Sequence, residues 1–386
     1  MSALPVRLRL LLCGDAVSAI GIGLTQPYLV ILLHTGKGVP LATAAAMTSL
    51  PALASFPGNW LSGALADRVG GHRAMTAGLV ATIGGLALVA TAGHPVLLGV
   101  AVAAVGFGWS VALPAYSALI AALVPEEARS RAFTLQYALF NAGMGAGAAV
   151  GAVVGVTGTL WWVAAATCGV AVACVWAARS PAPPPDAPAP RSGGYRAVAR
   201  DRALLRVLLV AALTAAAGYG VYNAGLPVVA VRSGDPGLMP WASVVNCLVI
   251  VAGLPVALRA AERLRPPQLV AVAATVWSAG WLLCVVLRGW VALPLAAGLM
   301  GIGELFLSGA LPSMVNALAP DALRGRYNAA LTVAMTSGMW AGPLLAAAAT
   351  ALDRVWLLFA LAVALLAVAS RVALSGTRRT RCPAGR

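Results

Sequence analysis

The sequence predicts an all-α membrane protein with twelve transmembrane helices in two pseudo-symmetric six-helix halves. Three observations predict it. The chain is 61% hydrophobic and only 10% charged over 386 residues, against about 45–50% and about 25% in soluble domains. Its charges divide the apolar sequence into runs of bilayer length. The two halves also superpose at one fixed shift. A compact soluble fold could not hide this much apolar surface beneath so few charges. A collagen-like chain, a disordered tail and a disulfide scaffold are excluded on the same composition.

A helix needs roughly 20 apolar residues to cross the hydrocarbon core. Breaks at charges, Gly/Pro turns and polar clusters leave twelve such runs. They are 8–33, 41–66, 74–92, 96–124, 132–156 and 160–178, then 204–231, 239–257, 269–287, 291–319, 327–351 and 355–374. The first is no signal peptide: Leu12, before Cys13, is not the small residue of a cleavage site, and the run continues to Leu33. Long runs with weak alternation argue against a β-barrel. Residues 180–194 are the one Pro-rich stretch and read as an extended, solvated linker. The chain is therefore expected to comprise a six-helix half (1–178), a cytoplasmic linker (179–203), a second half (204–374) and a cytoplasmic tail (375–386).

Lys and Arg orient the spans. With the N-terminus inside, 22 of the 26 Lys and Arg are cytoplasmic, and only Lys37, Arg232, Arg288 and Arg354 lie outside. Both termini are expected on the cytoplasmic side of the inner membrane. The net charge of +15 punctuates the spans rather than gathering on one face, so a nucleic-acid partner is excluded. Six scattered cysteines form no C-x-x-C pair and read as small apolar filler. His34, His72 and His94 lie near span ends without ligand spacing. No metal and no cofactor is expected. There is no P-loop, and no catalytic set of residues marks the chain as an enzyme.

A shift of 195 positions superposes the halves without a gap from span 2 into span 12. It pairs Gly58 with Gly253, Asp67 with Glu262, Arg68 with Arg263, Gly106 with Gly301 and Gly108 with Gly303. It also pairs Pro125 with Pro320, Arg129 with Arg324, Arg131 with Arg326, Gly143 with Gly338, Gly147 with Gly342 and Trp161 with Trp356. Two equivalent halves of this kind mark transporters, with binding expected between them near the midplane.

Between spans 2 and 3 stands Gly63-Ala-Leu-Ala-Asp67-Arg68-Val-Gly70-Gly71-His72-Arg73, with a degenerate copy at Glu262-Arg263. After spans 4 and 10 come the P-x-x-x-R-x-R sequences at 125–131 and 320–326. With these motifs the whole chain resembles the major facilitator superfamily, and within it the twelve-helix drug/proton antiporters. Gly71 and His72 stand where the family usually has basic residues. Val102 stands where many antiporters carry an arginine, and the Gly-Pro of their span-5 motif falls on span 11, as Gly342-Pro343. The resemblance implies that Gly63, Asp67, Arg68, Gly70 and Arg73 form a conformational latch between helices. It also implies that spans 1, 4, 7 and 10 surround a central cavity.

Two acids lie within the hydrocarbon: Asp15 on span 1 and Glu304 on span 10. Glu304 is roughly 20 Å along its helix from Arg288, and Asp15 about 9 Å beyond Arg9. Each costs on the order of 3 kcal/mol to insert ionised, and together they rival a net stability of about 5–15 kcal/mol. No Lys or Arg lies within the hydrocarbon to pair with them, and desolvation favours the neutral acid. Both are candidates to carry protons and to attract a cationic substrate; a structural hydrogen bond between helices is the alternative.

Glycines 143, 147, 151 and 155 repeat along one face of span 5, with Gly338, Gly342 and Pro343 in the second half; close helix packing is their expected role. Glu126, Glu127, Arg129 and Arg131 read as a charged cytoplasmic cap. Gln26, Tyr28, Trp109, Tyr116, Asn141, Tyr219, Tyr222, Asn223 and Asn246 are mid-span candidates for a substrate cavity. Trp109 is the repeat partner of Glu304, a pairing suited to a lipophilic cation. The sequence thus predicts a monomeric, proton-coupled transporter whose partners are a small-molecule substrate, protons and the lipid bilayer. Export of amphipathic drugs or small metabolites by alternating access is the reading it favours. Uptake or facilitative carriage, and a non-transporting scaffold or sensor of the same fold, stay open.

Overall fold

The computed structural model describes residues 5–179, 195–287, 291–320 and 323–379, and no strand occurs among them. Twelve long helices follow in chain order. They are α1 (Val6–Gly36), α2 (Leu50–Val69), α3 (Gly71–Thr91), α4 (Pro95–Leu123), α5 (Glu126–Val154) and α6 (Thr159–Ala177). The second six are α7 (Arg202–Arg232), α8 (Leu238–Arg263), α9 (Pro266–Val286), α10 (Ala292–Leu318), α11 (Arg324–Ala351) and α12 (Val355–Arg379). Among the described residues, eleven helices are long and apolar enough to cross a membrane. The remaining one, α2, has the length, but Pro51, Pro57, Asn59 and the closing Asp67-Arg68 make it more polar.

Two helices change winding part-way. In α1 a 3₁₀ turn occupies Gln26–Tyr28, where Pro27 has no N–H to give, and a π-helical turn closes the helix at Leu32–Gly36. In α7 a π-helical segment spans Ala215–Gly220. The Trp281 indole donates to the Ala217 carbonyl inside that segment at 2.8 Å, meeting a backbone acceptor that the wide turn loosens.

Helix ends have identifiable causes. Gly70 joins α2 to α3 with φ 87°, and Gly155 ends α5 with φ 83°; nothing stands within 4 Å of a Cβ at either, so conformation and not crowding selects glycine. Lys37 Nζ donates to the Ala90 carbonyl at 2.9 Å, placing a cation at the C-terminus of α3. Asp201 caps α7, accepting from the N–H groups of Ala203 and Leu204 at 2.9 and 3.1 Å.

Contacts divide the chain into two compact units: Met1–Pro188 with Met239–Cys247, and Ala189–Leu238 with Leu248–Arg386. In the first, α1 packs on α5 and α6, α3 on α4 and α6, and α2 on α4. In the second, α7 packs on α11 and α12, and α9 on α10 and α12. The internal repeat therefore reappears as repeated packing, although α8 and α10 make no contact to equal α2 on α4.

Lipid offers no hydrophobic drive between apolar helices, so small residues that let backbones approach decide which faces meet. A Cβ on Gly143 would run into the Ala16 carbonyl, one on Gly147 into that of Ile20, and one on Gly23 into that of Met144. A Cβ on Gly151 would run into the Tyr28 ring and its hydroxyl. The second unit repeats the device: Gly338 faces the Ala212 carbonyl, and Gly342 faces Gly220 and the Ala216 carbonyl, with Pro343 alongside. Gly155, which shares the spacing, is instead the helix terminator.

In the second unit α7 and α11 are also joined at both ends. Tyr327 donates to Asp201 Oδ2 at 2.9 Å. At the other end Arg232 pairs with Asp353 at 2.6 Å and donates to the Thr350 carbonyl at 3.0 Å.

Candidate functional site

Asp15 sits about 14 Å along α1 from Val6 and is 5% exposed. Gln136 on α5 donates its amide to Asp15 Oδ2 at 2.8 Å, while Ser18 turns back to the Asp15 carbonyl at 2.9 Å. The glycine face that seats α5 on α1 brings Gln136 to this place. Trp109 and Tyr116 reach the same point from α4. Together with Met75, Leu79, Ala112 and Leu113, they and Asp15 and Ser18 line a cavity of about 10 Å³.

Tyr116 is 2% exposed. Its buried hydroxyl interacts with the Asp15 carboxyl. Trp109 is half-buried, with its ring 6.3 Å from that of Phe140 on α5. Among the described residues the arrangement is one acid, one amide and aromatic walls, without a cation: suited to holding a proton or a positive charge.

Glu304 lies near the middle of α10, about 18 Å from its first residue, and is half-buried. The preceding Gly303 receives the Trp277 ring of α9. The Trp277 indole donates to the Met300 carbonyl at 2.7 Å, one turn earlier. Tyr219 meets the same ring edge-on at 5.4 Å and 81°. Trp277 thus fixes the turn that carries Glu304.

The other expected cavity residues are dispersed. Tyr28 is fully buried and donates to the Ala148 carbonyl at 2.6 Å; it straps α1 to α5 rather than walling a pocket, because Gly151 leaves space for its ring. Asn141 is 5% exposed and spends its amide on the Tyr137 carbonyl of its own helix at 2.9 Å. Gln26 is exposed on the 3₁₀ turn, Tyr222 and Asn223 are half-buried on α7, and Asn246 is buried on α8. Of the expected latch, Gly63 and the Asp67 side chain lie outside the described residues, as do the side chains of Glu126 and Glu127 in the expected cap. Arg68 and Arg73 are exposed and form no ion pair among the described residues. Arg129 reaches back to the Ala121 carbonyl of α4 at 3.3 Å.

Sequence reasoning missed Gln136, Trp277 and Trp281. Gln136 is one of two amides on a glycine-rich span, of which Asn141 alone was singled out, and the tryptophans stand in apolar runs with nothing to separate them from lipid-facing ones. No group of three or more metal-ligating side chains occurs among the described residues.

The sequence matches the Major Facilitator Superfamily over residues 11–343. The chain belongs to that superfamily. Among superfamily relatives, an uncharacterized MFS-type transporter, YttB, from Bacillus subtilis (strain 168) is 27% identical over 355 residues, covering 88% of this chain and 87% of the relative. The superfamily fold is also plain in solved structures. A POT family transporter in complex with a thioalcohol-conjugated peptide matches with a TM-score of 0.81 at 14% identity, over 98% of this chain and 97% of that one. The nucleoside transporter NupG matches with a TM-score of 0.79 at 12% identity, over 95% and 99%. At these identities the likeness is one of fold. This superfamily member is a multi-pass membrane protein with the architecture of transporters.

Proposed function

We propose that the protein is a proton-coupled antiporter that exports amphipathic, cationic small molecules across the cytoplasmic membrane by alternating access, with both termini inside. The observation that carries this is Asp15: a carboxyl 5% exposed inside a helix bundle, held by a neutral amide and faced by Trp109 and Tyr116. A buried acid with no cation fixed beside it can exchange a proton for a cationic ligand, and aromatic faces favour such ligands. Glu304, midway along α10, is a second intramembrane acid, in the other half and at a position the repeat does not pair with Asp15.

Peptides and nucleosides are the substrates named for the structural neighbours. A peptide carboxylate calls for a cation, and every Lys and Arg of this sequence stands at or beyond a span end. That favours a cation over a peptide.

The test is dye transport in proteoliposomes with an imposed pH gradient, comparing wild type, Asp15→Asn and Glu304→Gln. Gradient-driven movement of lipophilic cations, lost in at least one variant, supports the reading. Cation movement indifferent to the gradient would make the protein a facilitator, and equal coupling in both variants would remove the two acids from the mechanism.

A further inference from the structure

We infer that Gln136 is a positioning residue that sets the charge preference of the site at Asp15: it holds the carboxyl from α5 without cancelling its charge, so the site selects singly positive molecules over zwitterions. The inference rests on the reading of Asp15 as the exchanging acid and narrows the charge class that this acid takes.

The sequence places the amide. Gln136 precedes Gly143 by seven residues and Gly147 by eleven, about two and three helical turns, so all three lie on one stripe of α5. That stripe is the one seated on α1: Gly143 meets Ala16, Gly147 meets Ile20 and Gly151 meets Tyr28. The contacts climb both helices together, so α1 and α5 run side by side in the same direction. A helical Cβ leans toward the N-terminus of its helix, which brings the Asp15 carboxyl down toward the level of Gln136. The amide closes the gap, Nε2 donating to Oδ2 at 2.8 Å. A carboxyl turns easily about its last bond. A donor from a second helix removes that freedom, and the Tyr116 hydroxyl engages the same carboxyl from α4.

Both partners are neutral. An amide donor grips a carboxylate but leaves its charge in place. The groups that face Asp15 from other helices add no positive charge: Tyr116 and Trp109 from α4, and Met75 and Leu79 from α3. From α6, Cys174 packs on the neighbouring Gly14. Among the described residues an ionised Asp15 therefore keeps one negative charge, in surroundings where an unbalanced charge is expensive. One proton or one positive group balances it. A zwitterion restores the imbalance with its own carboxylate, for which the described side chains at this site offer no cation. Exchange of one proton for one monocation leaves the charge of the site unchanged.

The test is binding of two probes to the full chain in lipid nanodiscs: a carboxyalkyl triphenylphosphonium, zwitterionic at neutral pH, and its methyl ester, a monocation. Wild type is expected to bind the ester more tightly. Gln136→Leu should weaken ester binding by about tenfold, the low end of what a hydrogen bond to a charged group is worth. Gln136→Arg should narrow or reverse the preference between the probes. Equal binding of the two probes by wild type overturns the inference. So does ester affinity unchanged in Gln136→Leu, which would make the amide a structural strap, or a preference unmoved in Gln136→Arg. Should Gln136→Arg fail to fold, wild type and Gln136→Leu decide. Asp15→Asn separates this inference from the reading beneath it. Ester binding kept in that variant sinks both, whereas binding lost there but kept in Gln136→Leu sinks the role of Gln136 alone.

Discussion

The Tyr327 hydroxyl donates to Asp201 Oδ2 at 2.9 Å, tying the start of α11 to the cap of α7. The far ends of the same helices meet through Arg232 and Asp353, and the glycine face of Gly338 and Gly342 lies between. These helices are fixed along their length, by three different kinds of contact whose strengths can be compared.

Replacing Asp201 with Ala removes a cap, worth about 0.5–2 kcal/mol. Tyr327→Phe removes one hydrogen bond, worth about 0.5–1.5 kcal/mol. Both should lower the thermal midpoint in detergent, and the double variant should lose less than the sum because the Tyr327 bond is common to both. Full additivity would mean that the bond contributes nothing.

The same carboxyl sets a pH dependence. Desolvation pushes Asp201 up, but hydrogen bonds from the Leu204 N–H, the Tyr327 hydroxyl and the Ala203 N–H outweigh it and hold the group below the usual range. A depressed native value means stability that is present above the unfolded value, about 3.9, and lost as pH falls through the native one. Thermal midpoints measured downward from pH 5 should fall less steeply in Asp201→Asn than in wild type.

Arg232→Gln should cost under about 1 kcal/mol, because the pair is exposed, with Asp353 at 88%. High salt should shrink even that difference. A larger, salt-independent loss would assign the energy to the Thr350 carbonyl contact instead.

Gly147→Ala should destabilise the protein by about 1–3 kcal/mol through overpacking against Ile20. Gly84→Ala, where nothing lies within 4 Å of the added carbon, should be neutral or stabilising by up to about 1 kcal/mol. Equal midpoints for both variants in the same detergent would refute the close approach of α1 and α5.

Tyr28→Phe should lower stability by about 0.5–1.5 kcal/mol while leaving the concentration dependence of transport unchanged. A shift in apparent substrate affinity at unaltered stability would return Tyr28 to the binding site.

The fold was legible because its determinants are periodic: run lengths, charges at their ends and the 195-residue repeat survive without any knowledge of contacts. The site was legible only in part. Asp15 and Glu304 stand out by cost, being acids where acids are expensive. Gln136 does not, since an uncharged amide costs little and its role depends on how α1 crosses α5. Tyr28 and Tyr116 look alike in sequence, two tyrosines in apolar helices. What separates them is the neighbour: Gly151 and the Ala148 carbonyl receive one, and the Asp15 carboxyl receives the other. The clue for Tyr28 was present in the glycine spacing, which implied that something must fill the space at Gly151.

Lys37, whose ammonium rests on the last turn of α3, is the sole lysine of the sequence. An amine-directed reagent therefore meets one side-chain address in the protein, and a lysine-specific protease has a single bond to cut. Acylation there would exchange a charged donor for a neutral amide, so a dye so attached would report on the end of α3 while loosening it. Reductive methylation, which keeps the charge, is the gentler way to mark that position.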